Sequence, residues 1–433
     1  MVRVKPFRGF RPPAHLAEAV AAPPYDVMDS AEAREVYARR GETCFLRVNK
    51  PEVDVPADIS QYDVKVYDMG SENLQHFISS GWLTQDPTPC FYVYEQEQPA
   101  REGGGLRMQG HTQRGVCCGV PVEDYAMGVI KRHEKTTVKK ENDRTRLTHV
   151  QNANVGPVFL TYRDCPQVDR VVRDVVSTRP DTSFVAEGGV RHTVWVVRDP
   201  QDVYHLRKAF ESVDHTYIAD GHHRSASAFR VGEMKMKEAV ARGEVVTGEE
   251  PFNFFLAVLF PATQLRIMEY NRVVKDLAGF TKEEFLEQVR VCFEVEPLGD
   301  GERPEPRRRR QVGMCLGGEW YRLTAREGTF EPDNPVKGLD VQILYDNLLQ
   351  PVLNIGNPRA DERIKYVGGV RGSAHLQELV TGPEAWAVAF CMYPVSINEV
   401  MDIADADSLM PPKATWFEPK LCSGLVVRVL DDA

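Results

Sequence analysis

The sequence predicts an α/β protein built on a mixed sheet, and three observations carry that expectation. From Gly115 onward, short apolar strands alternate with helical stretches. Runs such as residues 252–260 are strand-length, rich in aromatic and β-branched residues, and closed by Pro261. The 433 residues, 42% hydrophobic and 27% charged, have the balance of folded domains and suffice for two or three cores.

Taken in order, the first hundred residues alternate helices with punctuation. Ser30 stands as the cap of a helix over 31–40, and Gly41 sits where a left-handed stop belongs. Leu74, Phe77 and Ile78 recur at helical spacing before Gly81, residues 90–94 read as a strand, and Gly103-Gly104-Gly105 as a turn or loose loop. Strands are expected at 116–122, 157–162, 193–197, 217–219, 252–260 and 265–269, with helices at 139–152, 168–176, 203–213 and 222–242. Beyond them lie a helix over 281–291, a Pro- and Arg-rich loop over 300–310, and a hairpin across Gly317-Gly318. The Arg307-Arg308-Arg309-Arg310 run, flanked by prolines, reads as a solvated loop rather than a phosphate site. These shifts of texture divide the chain into an N-terminal segment (1–115), a central core (116–260) and a C-terminal α+β segment (261–433).

Composition excludes several classes of function. Fifty-three basic against 63 acidic residues give a net charge of −10, which argues against nucleic acid or anionic membrane as a partner. No apolar run approaches the roughly 18–20 residues of a spanning helix. The N-terminal residues have no signal-peptide character, and the nine cysteines are scattered without a C-x-x-C pair, so a cytoplasmic address is expected. The sequence leaves a homo-oligomer open. P-loop, dinucleotide-binding G-x-G-x-x-G and G-x-S-x-G patterns are absent, and Thr137 stands where an H-E-x-x-H zinc site would need its second histidine.

The strongest chemical signal is Ile218-Ala219-Asp220-Gly221-His222-His223-Arg224. An apolar strand ends on an acid, a glycine permits a tight turn, and two histidines and an arginine open a helix. Helix starts attract phosphate, Arg224 offers a planar fork to its oxygens, and Asp220 is a candidate Mg²⁺ ligand. A second signal is Lys131-Arg132-His133-Glu134-Lys135-Thr136 with Asp143-Arg144 following, where Lys135 or Arg144 could hold a neighbouring carboxylate ionised as a general base. Two proline-locked segments complete the set. Ala22-Pro23-Pro24-Tyr25-Asp26-Val27 fixes Tyr25 and Asp26, and the loop 410–420 carries Lys413, Thr415 and Lys420. Tyr25, Asp26, Lys413 and Thr415 are the candidate substrate-binding residues.

Together these segments resemble the domain-of-unknown-function 1015 family. A-P-P-Y-D-V, R-H-E-K-T with D-R, N-x-G-P-V-F-L, I-A-D-G-H-H-R and M-P-P-K-x-T-W-F-x-P-K-L occur in that order between about Lys5 and Val427, nearly the whole chain. Ala414, where the family commonly has Ser, and Cys422 are the departures. The D-G-H-H-R segment is similar to the signature of the ParB/sulfiredoxin-like superfamily, which includes free-serine kinases of the SerK type. The resemblance implies a ParB/sulfiredoxin-like nucleotide core with N- and C-terminal elaborations. It also implies a phosphotransferase that converts free L-serine to O-phospho-L-serine with ATP or ADP and Mg²⁺. On that reading Glu134, Asp220 and His223 are catalytic, and Gly221, His222, Arg224, Lys135 and Arg144 bind nucleotide phosphate. The alternative is a ParB-like nucleotide-binding or hydrolysing regulatory protein without serine kinase activity.

Overall fold

The computed structural model describes residues 1–100, 110–299 and 301–431; the Gly103-Gly104-Gly105 turn lies outside them. The fold is mixed α/β, as the sequence predicts. The described residues of Met1–Glu102, Met108–Leu265 and Pro419–Ala433 form one compact unit, and those of Arg266–Glu418 a second.

The first unit is organised by an eight-stranded mixed sheet. Its strands are β1 (Phe91–Gln98), β2 (His111–Pro121), β3 (Ile130–Lys131), β4 (Val158–Tyr162), β5 (Thr182–Val185), β6 (Arg191–Val197), β7 (Thr216–Asp220) and β8 (Phe254–Pro261). Their spatial order is β3-β7-β4-β8-β2-β1-β6-β5. Parallel pairs join β7 to β3 and β8 to β4, and the other neighbours are antiparallel. Every residue of β8 is buried, which explains its unbroken apolar run: a strand covered on both faces has no solvent side to make polar.

Helices α1 (Ser30–Arg40), α2 (Val64–Ser79), α3 (Val138–Gln151), α4 (Pro166–Val176), α5 (Pro200–Phe210) and α6 (His222–Ala241) belong to the same unit. The cap of α1 is Asp29 rather than Ser30: its carboxylate accepts the Ala31 and Glu32 N–H groups, and Glu32 closes a capping box. Gly41 ends that helix at φ 79°, the left-handed conformation expected of it. One core gathers Phe91, Val116, Leu160 and Phe255 of the sheet with Val168, Leu206 and Phe210 of α4 and α5 and Ala226 and Ala228 of α6. A smaller core joins Phe45, Leu74 and Phe77 of the N-terminal helical region to Val427 of the last segment.

The second unit is a six-stranded, entirely antiparallel sheet. It comprises β9 (Tyr270–Val274), β10 (Phe293–Pro297), β11 (Gln311–Leu316), β12 (Glu319–Ala325), β13 (Ile364–Gly368) and β14 (Val388–Cys391), in the order β10-β12-β11-β14-β9-β13. Its arginine run is a surface loop with anchors: Arg309 pairs with Glu399 at 2.7 Å, and Arg310 lies over the Phe330 ring. Among the described residues no helix is long and apolar enough to cross a membrane.

Candidate functional site

The D-G-H-H-R segment occupies a junction that the sheet fixes firmly. β7 lies between β3 and β4, and its pairing with β4 becomes irregular between Ile218 and Asp220, so Asp220 leaves the regular ladder at the strand's end. Gly221 then takes φ 98°, a left-handed conformation that side chains resist. A Cβ placed there would lie 3.0 Å from Arg224 Nε. α6 begins at once, with no side-chain cap and no acidic residue in its first turn. The positive end of the dipole of this 20-residue helix therefore faces the turn with no carboxylate of its own first turn to offset it.

Four charged side chains converge on this start. Arg224 Nη2 donates to Asp220 Oδ2 at 2.7 Å, and Nη1 donates to the Pro157 carbonyl. Lys420 Nζ donates to Asp220 Oδ1 at 2.9 Å. Asp26 Oδ2 stands 4.0 Å from Arg224 Nη2. Burial would push the Asp220 carboxyl up, but Lys420 and Arg224 outweigh it and hold it at about 2. Two cations thus face two carboxylates, and the group is balanced before any ligand arrives. Arg224 Nε is buried without a partner, an unmet donor beside the helix start.

Distant parts of the chain supply two of these groups. Ser423 and Ala22 exchange backbone hydrogen bonds, and the side chains of Gln96 and Gln113 donate to the carbonyls of Lys420 and Pro419, so the last segment is laid against the sheet and delivers Lys420. Gly424, at φ 84°, allows its backbone to press on Phe45 where a Cβ would collide. Asp26 sits in a single turn, Tyr25–Val27, that Pro24 introduces. Tyr25 is held under the Arg144 guanidinium, 4.2 Å from the ring centre, and Arg144 is fixed by Asp143 at 2.8 Å and by the Asn49 carbonyl. A small cavity of about 40 Å³, room for a water or two, lies among Tyr25, Asn49, Arg144, Arg224 and Ser423.

Two buried histidines stand within reach of the Asp220 charge. His133 and His222 meet edge to face at 4.5 Å between ring centres. Burial pushes both below their ordinary value, His133 to about 4, so both are neutral at physiological pH. Both ring nitrogens of His133 and Nε2 of His222 lack partners, a costly concentration of unmet polar atoms. Glu134 Oε2 lies 3.9 Å from His222 Nδ1, with 41% of its side chain exposed. His223 Nε2 accepts the Thr137 N–H at 3.1 Å, which ties the helix start to the entry of α3 and leaves the ring proton on Nδ1 when the ring is neutral.

The structure thus brings together Tyr25, Asp26, Glu134, Arg144, Asp220, Gly221, His222, His223 and Arg224. Lys135 is exposed and makes no ion pair among the described residues, and Arg144 is engaged by Asp143, so neither sits on Glu134 as the sequence led one to expect. Lys413 and Thr415 belong to the second unit, where Lys413 Nζ lies over the Tyr270 ring. Sequence reasoning passed over Lys420, His133 and Asn49. Lys420 was visible in the final P-K-L motif, but nothing local distinguished it from Lys413. The Mg²⁺ role expected of Asp220 does not fit: each of its oxygens already carries a cation, and among the described residues no group of three His, Cys, Asp or Glu could hold a metal.

A model of the family described as "Protein of unknown function (DUF1015)" matches residues 4–342. No curated protein matches the chain. Among solved structures, a conserved hypothetical protein from Pyrococcus furiosus aligns at 12% identity and a TM-score of 0.34, over 73% of this chain and 95% of that one. A free serine kinase in complex with AMP aligns at 12% identity and 0.33, over 70% and 86%. SbnI with a C-terminal truncation, from Staphylococcus aureus, aligns at 12% identity and 0.34, over 72% and 87%.

Proposed function

The chain belongs to the DUF1015 family, and we propose that it is a small-molecule kinase transferring a phosphoryl group from ATP or ADP to the hydroxyl of free L-serine. The observation that supports this reading is the start of α6, where Arg224 and Lys420 both pair with Asp220 and Glu134 lies 3.9 Å from His222. Phosphoryl transfer asks little covalent help of a protein; it needs oxygens held in line and charge neutralised in a site already organised for it. The dipole at the start of α6 and the unmet Arg224 Nε–H offer charge and a donor of that kind.

In this reading Glu134 accepts the proton of the serine hydroxyl as its oxygen forms the new P–O bond. The bond to the departing nucleotide breaks, releasing ADP or AMP. Because the four charges around Asp220 are balanced beforehand, the negative charge that phosphate brings favours proton transfer to a neighbouring carboxylate. His222, neutral, neighbours Glu134 at 3.9 Å, and Asp26 on its proline-fixed turn is the candidate partner of the serine ammonium. Magnesium enters as the counter-ion of the nucleotide phosphates rather than on a protein-built cage.

Incubation of the full chain with L-serine, Mg²⁺ and ATP or ADP, followed by phosphorus NMR, should show O-phosphoserine and the matching nucleotide product. Nucleotide binding or slow hydrolysis without phosphoserine from either donor would overturn the kinase reading and favour a ParB-like nucleotide-binding regulator.

A further inference from the structure

The second unit contains a cleft that the kinase reading does not use. It encloses about 420 Å³, within the range of small-metabolite sites, and its floor is Arg272 on β9. Arg272 is 3% exposed, yet no carboxylate pairs with it among the described residues. Its Nη1 donates to the Tyr270 carbonyl and its Nη2 to the Lys413 carbonyl at 3.3 Å. Those two bonds leave Nε–H and one proton on each Nη unspent. Burial pulls the guanidinium down to about 10, and Tyr366 and Tyr270 only partly offset that. A buried cation compensated by dipoles alone is expensive, and proteins rarely keep one without a use.

The surroundings sharpen the chemistry. The described residues lining the cleft include two arginines, Arg272 and Arg359, and no carboxylate, in a chain whose net charge is −10. Tyr366 lies opposite Arg272 across the β9–β13 pairing, and the guanidinium sits 5.4 Å from its ring centre. The Tyr366 and Tyr345 hydroxyls donate to the carbonyls of Pro358 and Gly356, fixing the loop that carries Arg359 as one wall. Tyr345 opens a π-helical turn, Tyr345–Leu349, a distortion that recurs at functional sites. Pro411 and Pro412, from the M-P-P-K segment, form the opposite wall.

We propose that this cleft binds a small planar carboxylate, its two oxygens taken by the free protons of Arg272 and its body held among Tyr345, Tyr366 and the two prolines. One buried positive charge calls for one negative charge, which a carboxylate supplies and a phosphate dianion exceeds. Arg359 at the rim adds attraction without burial. This inference stands on the second unit alone and does not depend on serine phosphorylation.

The full chain is titrated with benzoate and nicotinate, with phenyl phosphate, and with benzyl alcohol as the neutral control, following the ¹⁵N–¹H signal of Arg272 Nε and the heat of binding. A carboxylate should bind saturably at millimolar concentration and move that signal, with benzyl alcohol inert. Exposed Arg359→Ala should weaken binding about threefold, as loss of a rim charge does. Arg272→Gln, where it folds, should abolish binding. The proposal is overturned if neither carboxylate binds saturably, if benzyl alcohol binds as well, if phenyl phosphate binds where the carboxylates do not, or if the Nε signal stays fixed at saturation.

Discussion

Lys420 Nζ and Asp220 Oδ1, two hundred residues apart in sequence, lie 2.9 Å from each other at the start of α6. The pair is partly shielded, with 18% and 22% of the side chains exposed, and Arg224 holds the other Asp220 oxygen. Removing one partner of a buried pair strands the other, at about 3–5 kcal/mol; the residual exposure here puts Asp220→Asn near the lower end, about 3 kcal/mol. Lys420→Met leaves Asp220 its arginine and should cost less. Urea unfolding of both single variants and the double variant should give a coupling of about 1 kcal/mol or more. Additivity within about 0.3 kcal/mol would mean that the contact contributes nothing.

Gly221→Ala should lose stability and function together. The left-handed φ of 98° costs a Cβ-bearing residue about 1–2 kcal/mol. The added methyl also meets Arg224 Nε at 3.0 Å, so the guanidinium must shift from its place beside the helix start. Calorimetry should show weaker nucleotide binding even at temperatures where the variant is fully folded. Wild-type affinity in a destabilised Gly221→Ala would detach Arg224 from phosphate binding.

The site was legible where chemistry and chain order coincide. Asp220 to Arg224 announce themselves because strand, glycine and helix start are consecutive, and the proline-fixed Asp26 was readable for the same reason. Lys420 was not, because its position depends on the backbone pairing of Ser423 with Ala22 and on Gln96 and Gln113, contacts that no local pattern encodes. His133 was concealed by its charged neighbours: K-R-H-E-K suggests a solvated face, while tertiary packing turns this one ring inward against His222. In the second unit, β13 and β14 went unread because each is short and gains its stability from distant neighbours, β13 from β9 and β14 from β9 and β11.

The buried histidines should make the protein acid-sensitive in a defined window. His133 titrates at its ordinary 6.5 when unfolded and at about 4 when folded. The unfolded chain therefore binds the proton first, and the contribution of His133 to stability falls as pH drops from about 6.5 toward 4 and no further below. At pH 5 that difference amounts to about 2 kcal/mol. His133→Phe removes the titration, so its stability relative to wild type should improve by about that amount between pH 7 and pH 5 in paired urea melts. An unchanged difference across the two pH values would show that His133 takes up its proton as readily in the folded chain as in the unfolded one.

Glu134 carries the proposed chemistry most directly, and Glu134→Gln isolates it. Glutamine keeps the size and a polar end group but cannot act as the proton acceptor. A general base contributes about 10²–10⁴-fold, so kcat for phosphoserine formation should fall by that order while nucleotide affinity, which rests on α6 and Arg224, stays nearly constant. The acidic limb of the rate profile should vanish with the carboxylate. Asp26→Asn serves as the comparison: it sits 4.0 Å from Arg224 and is expected to raise KM for serine more than it lowers kcat. If Glu134→Gln keeps more than about a third of wild-type kcat while Asp26→Asn loses its acidic limb, the proton goes to Asp26 and Glu134 is only a neighbour of His222.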